Sequence, residues 1–215
     1  GSTRRTGIRT MATRRGFLIG LAAAGAAPRI GWAAVGSPAY LASAREADGT
    51  FTLYGLSTDG IAKFRVPLPA RGHAGAAHPI RAEAVAFARR PGQFALVIDC
   101  ATGAVLHSLT PPERRQFNGH GVFAAGGDLL FTSEQARDTS EGIIGIWDAA
   151  AGYARTGEFP SGGIGPHDLR LMPDGQTLVV ANGGIATDPS DRTKLNISTM
   201  RPNLGYLTLS GTLVD

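Results

Sequence analysis

A glycine or proline followed by histidine recurs at a fixed spacing in this chain of 215 residues. The three copies read RGHAG, NGHGV and GPHDL, and their histidines, His73, His120 and His167, are 47 residues apart. A second pattern is a short β-rich run that ends in a glycine turn, and in the first three copies another β-rich run follows it. The turn glycines are Gly60, Gly103, Gly152 and Gly211. The two patterns together indicate a repeated unit of about 47 residues.

Each unit contains about four short strands, because the segment after the histidine adds two more, as in GVFAAGGDLLFTSE. No long stretch has apolar residues at helical spacing, so the predicted fold class is all-β. A period in the forties with four strands is typical of a β-propeller blade. A β-sandwich also has frequent turns, but it gives no reason for equally spaced histidines. We therefore predict a β-propeller of four-stranded blades.

The segment 34–215 is long enough for about four such units, and the sequence ends at GTLVD as the outer strand of the fourth unit begins. Most propellers have more blades, and an open ring exposes strand edges. We expect the chain to be the N-terminal part of a seven-bladed ring. A four-bladed ring and an assembly of two copies are the alternatives.

Residues 1–33 have the pattern of an export signal. Arg14 and Arg15 precede Phe17 and Leu18, and a mild apolar run rich in alanine and glycine follows. This pattern is typical of a twin-arginine signal peptide. The run is too short for a membrane anchor, which is the alternative. We expect cleavage after Ala33, a periplasmic protein without stable membrane insertion, and a propeller domain over 34–215.

The charge distribution argues against nucleic acid as a partner. The formal net charge is +4, but six basic residues and no acidic ones lie in the first 33 positions. The remainder has 15 basic and 17 acidic residues, so no basic excess is left to replace the counterions of a nucleic acid. The single Cys100 excludes an internal disulfide.

A family resemblance rests on the leader, on the segments RGHAG and GPHDLRLMPDGQTLVVANGG, and on the run from Lys194 to Pro202. In these features the chain resembles a bacterial family of exported propellers named domain of unknown function 1513. The resemblance implies a periplasmic seven-bladed propeller, similar in architecture to the repeats of surface-layer proteins and of the methylamine-dehydrogenase heavy chain. It implies no established activity and no catalytic residues. Family members often accompany imelysin-like and di-haem peroxidase-like proteins, which implies partners from an iron-uptake or redox system.

The three histidines are the candidate ligand or metal site. They recur just before the first strand of their units, so we expect them at equal heights near one end of the propeller axis. Three imidazoles could bind a transition metal or, when charged, an anion. The alternative is architectural, with each histidine bonded to the backbone of the neighbouring blade. No cofactor is required by the sequence, and we assign no catalytic residue.

A second candidate site is the polar insertion IATDPSDRTKLNISTMRPN, which lengthens the last interval between turn glycines. Long loops in compact domains are often functional. Lys194, Asn196 and Arg201 could therefore cover the channel mouth and contact an anion, or could simply be solvated. The sequence thus predicts a periplasmic binding or scaffold protein, linked to iron acquisition or redox. The alternative is a propeller enzyme of lactonase or quinoprotein-dehydrogenase type with an active site at the channel mouth.

Overall fold

The computed structural model describes residues 38–214, which form four antiparallel sheets in chain order. The first sheet has strands β1 (Tyr40–Arg45), β2 (Phe51–Leu56) and β3 (Ala62–Leu68). The second has β4 (Gly72–Ala77), β5 (Glu83–Ala88), β6 (Ala95–Asp99) and β7 (Val105–Leu109). The third has β8 (Arg115–Phe123), β9 (Leu129–Ala136), β10 (Glu141–Asp148) and β11 (Ala154–Ile164). The fourth has β12 (Pro166–Leu171), β13 (Thr177–Asn182) and β14 (Asn203–Thr208), with a 3-10 turn at Ile197–Thr199 in the loop between the last two.

Each sheet is a meander in which every strand pairs with the next one along the chain. The second and third sheets have the four strands that the repeat predicts. Aligned on the turn glycines, the first sheet contains the three outer strands of a blade and the fourth sheet the three inner ones. Within residues 38–214, β1 therefore has a free edge at the place where an inner strand would pair.

The turn between the last two strands of a blade has the same construction in successive repeats. In DCATG the Asp99 carboxylate accepts hydrogen bonds from the backbone amides of Ala101 and Thr102. In DAAAG Asp148 does the same for the two corresponding amides. Gly103 and Gly152 follow with φ of 78° and 68°, a left-handed conformation that favours glycine.

The sheets pack face to face, with a separate hydrophobic core between each pair. The strands alternate their side chains between the two faces: in β5, Val85 and Phe87 join one core and Ala86 and Ala88 join the next. The first core includes Leu53, Val66, Leu96 and Ile98, the second Phe87, Phe117, Leu130 and Trp147, and the third Phe131, Ile144, Leu169 and Leu178. The inner strands β4, β8 and β12 lie side by side. This is the packing of propeller blades, and the all-β propeller prediction is confirmed.

A buried ion pair joins the strands of the third sheet. The carboxylate of Glu134 is fully buried and accepts two hydrogen bonds from Arg155, at 2.8 and 3.0 Å, and one from Thr132 at 2.6 Å. The carboxylate passes over Gly145 on the strand between them, where a Cβ atom would lie 2.0 Å from Glu134 Oε1. Glycine at this position therefore leaves room for the pair.

The twin-arginine signal predicted at Arg14 and Arg15 lies outside the described residues. Among residues 38–214, no helix has the length and apolar character needed to cross a bilayer. Cys100 is fully buried, and burial raises the pKa of its thiol to about 11. The thiol therefore stays protonated at neutral pH and serves as a small core residue.

Candidate functional site

The three repeated histidines lie on the three innermost strands, each at an interruption of the strand pairing. The register with the neighbouring strand shifts between Gly72 and Gly75, between Phe117 and Gly121, and between Pro166 and Asp168. His73, His120 and His167 lie inside these interruptions. The prediction had placed them just before the strands; pairing instead continues on both sides of a bulge. Bulges re-aim side chains, and they are common next to functional sites.

The bulges bring the three imidazoles together. Each ring offers one nitrogen, and these nitrogens all lie within 4.8 Å of one another. The ring centroids are 4.9 Å apart for His73 and His120, 5.0 Å for His120 and His167, and 5.8 Å for His73 and His167. We name these three residues the histidine cluster. From the sequence we expected the three histidines at equal heights near one end of the propeller axis. In the structure their rings lie next to one another.

The glycine of the NGHGV copy is needed for this approach. Gly119 has a φ of 103°, and a Cβ atom there would lie 2.6 Å from Cδ2 of His73. A side chain at Gly119 would be strained and would also push His73 away. The residue before the histidine therefore has a role in the contact between blades.

His120 is the most enclosed member of the cluster. Its Nδ1 lies 3.1 Å from Oδ1 of Asp168, which follows His167 on β12. Its Nε2 is buried and has no hydrogen-bond partner within the described residues. Asp168 was not among the predicted site residues. The only signal in the sequence is the His-Asp pair in GPHDL, which the other two copies lack.

The surroundings of His120 and His73 favour the neutral form of these two imidazoles. Burial lowers the pKa of His120 to about 4, and the neighbouring His73 and His167 add to this effect while Asp168 opposes it. Burial also lowers the pKa of His73, together with His167 and with Arg89, Arg71 and Arg90. Neutral imidazoles have the lone pair that a metal needs, whereas charge attraction of an anion needs the protonated form. At His120 and His73 the environment therefore favours a metal over an anion.

The architectural role that was the alternative for the histidine cluster is filled by a different histidine, His78. This side chain is 2% exposed, and its Nε2 donates to the carbonyl oxygen of Gly127 on the next blade at 2.9 Å. Its Nδ1 accepts from the amides of Ile80 and Arg81. Within residues 38–214 no imidazole of the histidine cluster has a hydrogen bond to a backbone atom.

The predicted insertion lies at the same end of the blades as the histidine cluster, because it connects the end of β13 with the start of β14. Asn196 holds the loop together: its Oδ1 accepts from the amide of Ala186 and its Nδ2 donates to the carbonyl oxygen of Gly184. Lys194 forms a backbone bridge with Thr187 and its side chain is exposed, as is that of Arg201. The structure thus gives Asn196 a local structural contact and does not bring Lys194 or Arg201 into the histidine cluster.

A cavity of about 560 Å³ opens between β1 and the start of β4 and is lined by His73, Arg71, Arg45 and Ser43, among others. It runs along the free edge of β1, which is the position that the inner strand occupies in the four-stranded second and third sheets. We therefore interpret this cavity as the space of a fourth strand and assign it no ligand.

Two solved structures illustrate the likeness in fold. The first is hydrazine synthase of Kuenenia stuttgartiensis, with 14% identity, a TM-score of 0.59, and coverage of 77% of this chain and 42% of that one. The second is the propeller domain of Cps50 (Swd1) from Myceliophteria thermophila, with 15% identity, a TM-score of 0.51, and coverage of 77% and 57%. The chain thus spans about half the length of these structures. At this identity the likeness shows the fold alone.

No curated protein matches the chain. Residues 66–215, which include all three inner strands and the whole histidine cluster, match the family described as "Protein of unknown function (DUF1513)". Because this match covers more than half of the sequence, the chain belongs to the DUF1513 family of β-propeller proteins.

Proposed function

We propose that this propeller is a binding protein that holds a divalent transition-metal ion between His73, His120 and His167. The observation that carries the proposal is the environment of His120. A metal-binding histidine commonly donates one ring N–H to a carboxylate and presents the other nitrogen to the metal. The contact between His120 and Asp168, with Nε2 buried and unpartnered, has this form.

The distances fit a site that tightens on binding. When three nitrogens bind zinc tetrahedrally at 2.0–2.1 Å, they lie about 3.3 Å from one another. In the histidine cluster the nitrogens lie up to 4.8 Å from one another. His73 and His167 are exposed, so their side chains can rotate by the required ångström or so, while the half-buried His120 stays in place.

The donor set indicates the class of metal. Three imidazoles suit Zn²⁺, Cu²⁺, Ni²⁺ or Fe²⁺ better than Mg²⁺ or Ca²⁺, which prefer oxygen ligands. Three protein ligands also leave at least one coordination position for water or a ligand. This open position is the only feature that favours the alternative of a propeller enzyme, since a metal-bound water can act as a nucleophile.

Location and partners are further proposals, which the signal-like sequence and the family resemblance support. We place the protein in the periplasm, where a metal-binding propeller would act beside an iron-uptake or redox system. The four blades would serve as a rigid support that fixes the spacing of the three histidines.

Titration of the metal-free chain with Zn²⁺ and Co²⁺ tests the metal site. We expect one ion per chain, and a visible Co²⁺ spectrum typical of low coordination number. The triple substitution His73→Ala, His120→Ala, His167→Ala should abolish both signals, and His107→Ala, on the exposed strand β7, should leave them unchanged. Equal binding by the triple variant and the original chain would refute the proposal.

A further inference from the structure

Four arginines from three separate segments act on one another, and three of them, Arg71, Arg89 and Arg90, also act on His73 of the histidine cluster. Arg71 directly precedes β4, and Arg89 and Arg90 directly follow β5. The backbone of the first two segments is joined, since the amide of Arg89 donates to the carbonyl oxygen of Arg71 at 2.8 Å. The segment after Arg90 is fixed to the third sheet by a backbone bridge between Gly92 and Phe117 on β8. Arg192 is the fourth member, and we name the four residues the arginine cluster.

Arg192 reaches the others from the insertion of the fourth sheet. The insertion is anchored on the third sheet, where the amide of Thr187 donates to Ser140 Oγ at 3.0 Å and Gln135 Nε2 lies 3.5 Å from Thr187 Oγ1. Arg192 lies near enough to Arg89 and Arg90 for its charge to lower the pKa of both.

The positive charges act on one another across the cluster. The charge of Arg71 is the main cause that lowers the pKa of Arg89. For Arg90 burial comes first, followed by the charges of Arg192 and Arg89. Such an arrangement costs free energy through repulsion, and this cost increases as water is removed.

No acidic group offsets this repulsion. Within residues 38–214, none of the four guanidinium groups has an ion pair or a hydrogen bond with a protein group, and Nε of Arg192 is buried without a partner. Six other arginines of the same region each pair with a carboxylate. Within residues 38–214 three further arginines, Arg45, Arg137 and Arg201, also lack an ion pair, but the arginine cluster combines the lack of a partner with mutual repulsion.

We propose that Arg71, Arg89, Arg90 and Arg192 form a binding site for a multiply charged oxyanion, either phosphate or a polycarboxylate. Guanidinium groups bind such anions through paired N–H donors in a planar fork. Four of them, from three segments, match an anion with more than one charge. The site uses no residue of the histidine cluster as a required ligand, so it goes beyond the metal site and does not depend on it.

The test measures anion binding by the metal-free chain. Metal is first removed with EDTA, and the EDTA is then removed by gel filtration because it is itself a polycarboxylate. Calorimetry and thermal unfolding follow at constant ionic strength, with inorganic phosphate and with citrate as probes and chloride as the reference. We expect saturable binding of one probe and a rise in Tm with its concentration. The probe that binds assigns the ligand to phosphate or to polycarboxylates.

The substitutions Arg89→Gln and Arg192→Gln, singly and together, should weaken binding by at least about tenfold, because each removes a charge-assisted contact. Lys63→Gln removes the same charge from an exposed position on β3 and should bind like the original chain. Without anion, the Arg192→Gln variant should unfold at the same or a higher temperature, since repulsion is removed. Absence of saturable binding, equal affinity in all variants, or a lower Tm of Arg192→Gln with unchanged binding would overturn the proposal.

Discussion

His120 and Asp168 belong to adjacent blades, and the 3.1 Å contact between Nδ1 and Oδ1 joins the bulge of β8 to the bulge of β12. A carboxylate can only accept, so this contact is favourable when the neutral ring carries its hydrogen on Nδ1, which leaves the lone pair on the buried, unpartnered Nε2. Arg170 bonds to the second oxygen of Asp168 and holds the carboxylate in place. The contact thus orients the proposed metal ligand.

Replacing Asp168 with alanine should lower metal affinity about 10-fold to 100-fold, because His120 loses the partner that fixes its tautomer. Competition with a chromophoric chelator measures the change. The Co²⁺ spectrum should still report three nitrogens, which identifies Asp168 as a positioning residue. Glu113→Ala removes an exposed carboxylate and should have no effect. Unchanged affinity in Asp168→Ala would show that the contact does not orient the ligand.

Acid should destabilise the metal-free chain through His120. Its folded-state pKa of about 4 lies below the ordinary value of 6.5, so between these values the unfolded chain binds more protons. The free energy of unfolding should therefore decrease as the pH falls from about 6.5 to about 4. The shift corresponds to roughly 3 kcal/mol at most, and partial exposure reduces this figure. His73, His167, Asp168 and Arg170 are the charged or titratable neighbours of the ring.

Urea unfolding at a series of pH values in EDTA measures this dependence. The variant His120→Gln should have a flatter profile between the two pH values, because it lacks the titrating ring. Parallel profiles for the original chain and this variant would contradict the assignment.

Substitution of His78 with alanine should lower the free energy of unfolding by about 1–3 kcal/mol, because Gly127 loses its donor and two amides lose their acceptor. Chemical denaturation measures the loss. His107→Ala, at an exposed strand position, should stay within about 0.5 kcal/mol of the original chain. Metal affinity should be unchanged in both, and a loss of metal binding in folded His78→Ala would place this residue in the site.

The variant Glu134→Ala should be destabilised by about 3–5 kcal/mol, because it leaves Arg155 half-buried without its main partner. A double-mutant cycle with Arg155→Ala separates the pair from the effect of each deletion. The double variant should lose less than the sum of the two single ones. Additive losses would mean that the two side chains stabilise the fold independently.

The repeat made much of this protein predictable from its sequence. The equal spacing of His73, His120 and His167 predicted equivalent positions in successive blades, although it put them just before the inner strands and not at bulges within them. The turn glycines predicted the order of strands within each blade. Both are local properties, since turns depend on a few consecutive residues and a repeat places equal residues at equal positions. The number of blades beyond these four sheets, the export signal and the partners stay predictions.

The remaining features depend on which side chains meet across the blades. The roles of Asp168 and His78 were not predicted, because neither residue recurs and each has its partner more than 45 residues away in the sequence. The arginine cluster could not be predicted either, because in the sequence Arg192 is about 100 residues away from Arg89 and Arg90, and only the fold brings their charges together. The sequence by itself determined the blade and the position of its histidines. Only the tertiary structure decided which atoms meet, because burial, pKa and charge compensation arise from packing between distant segments.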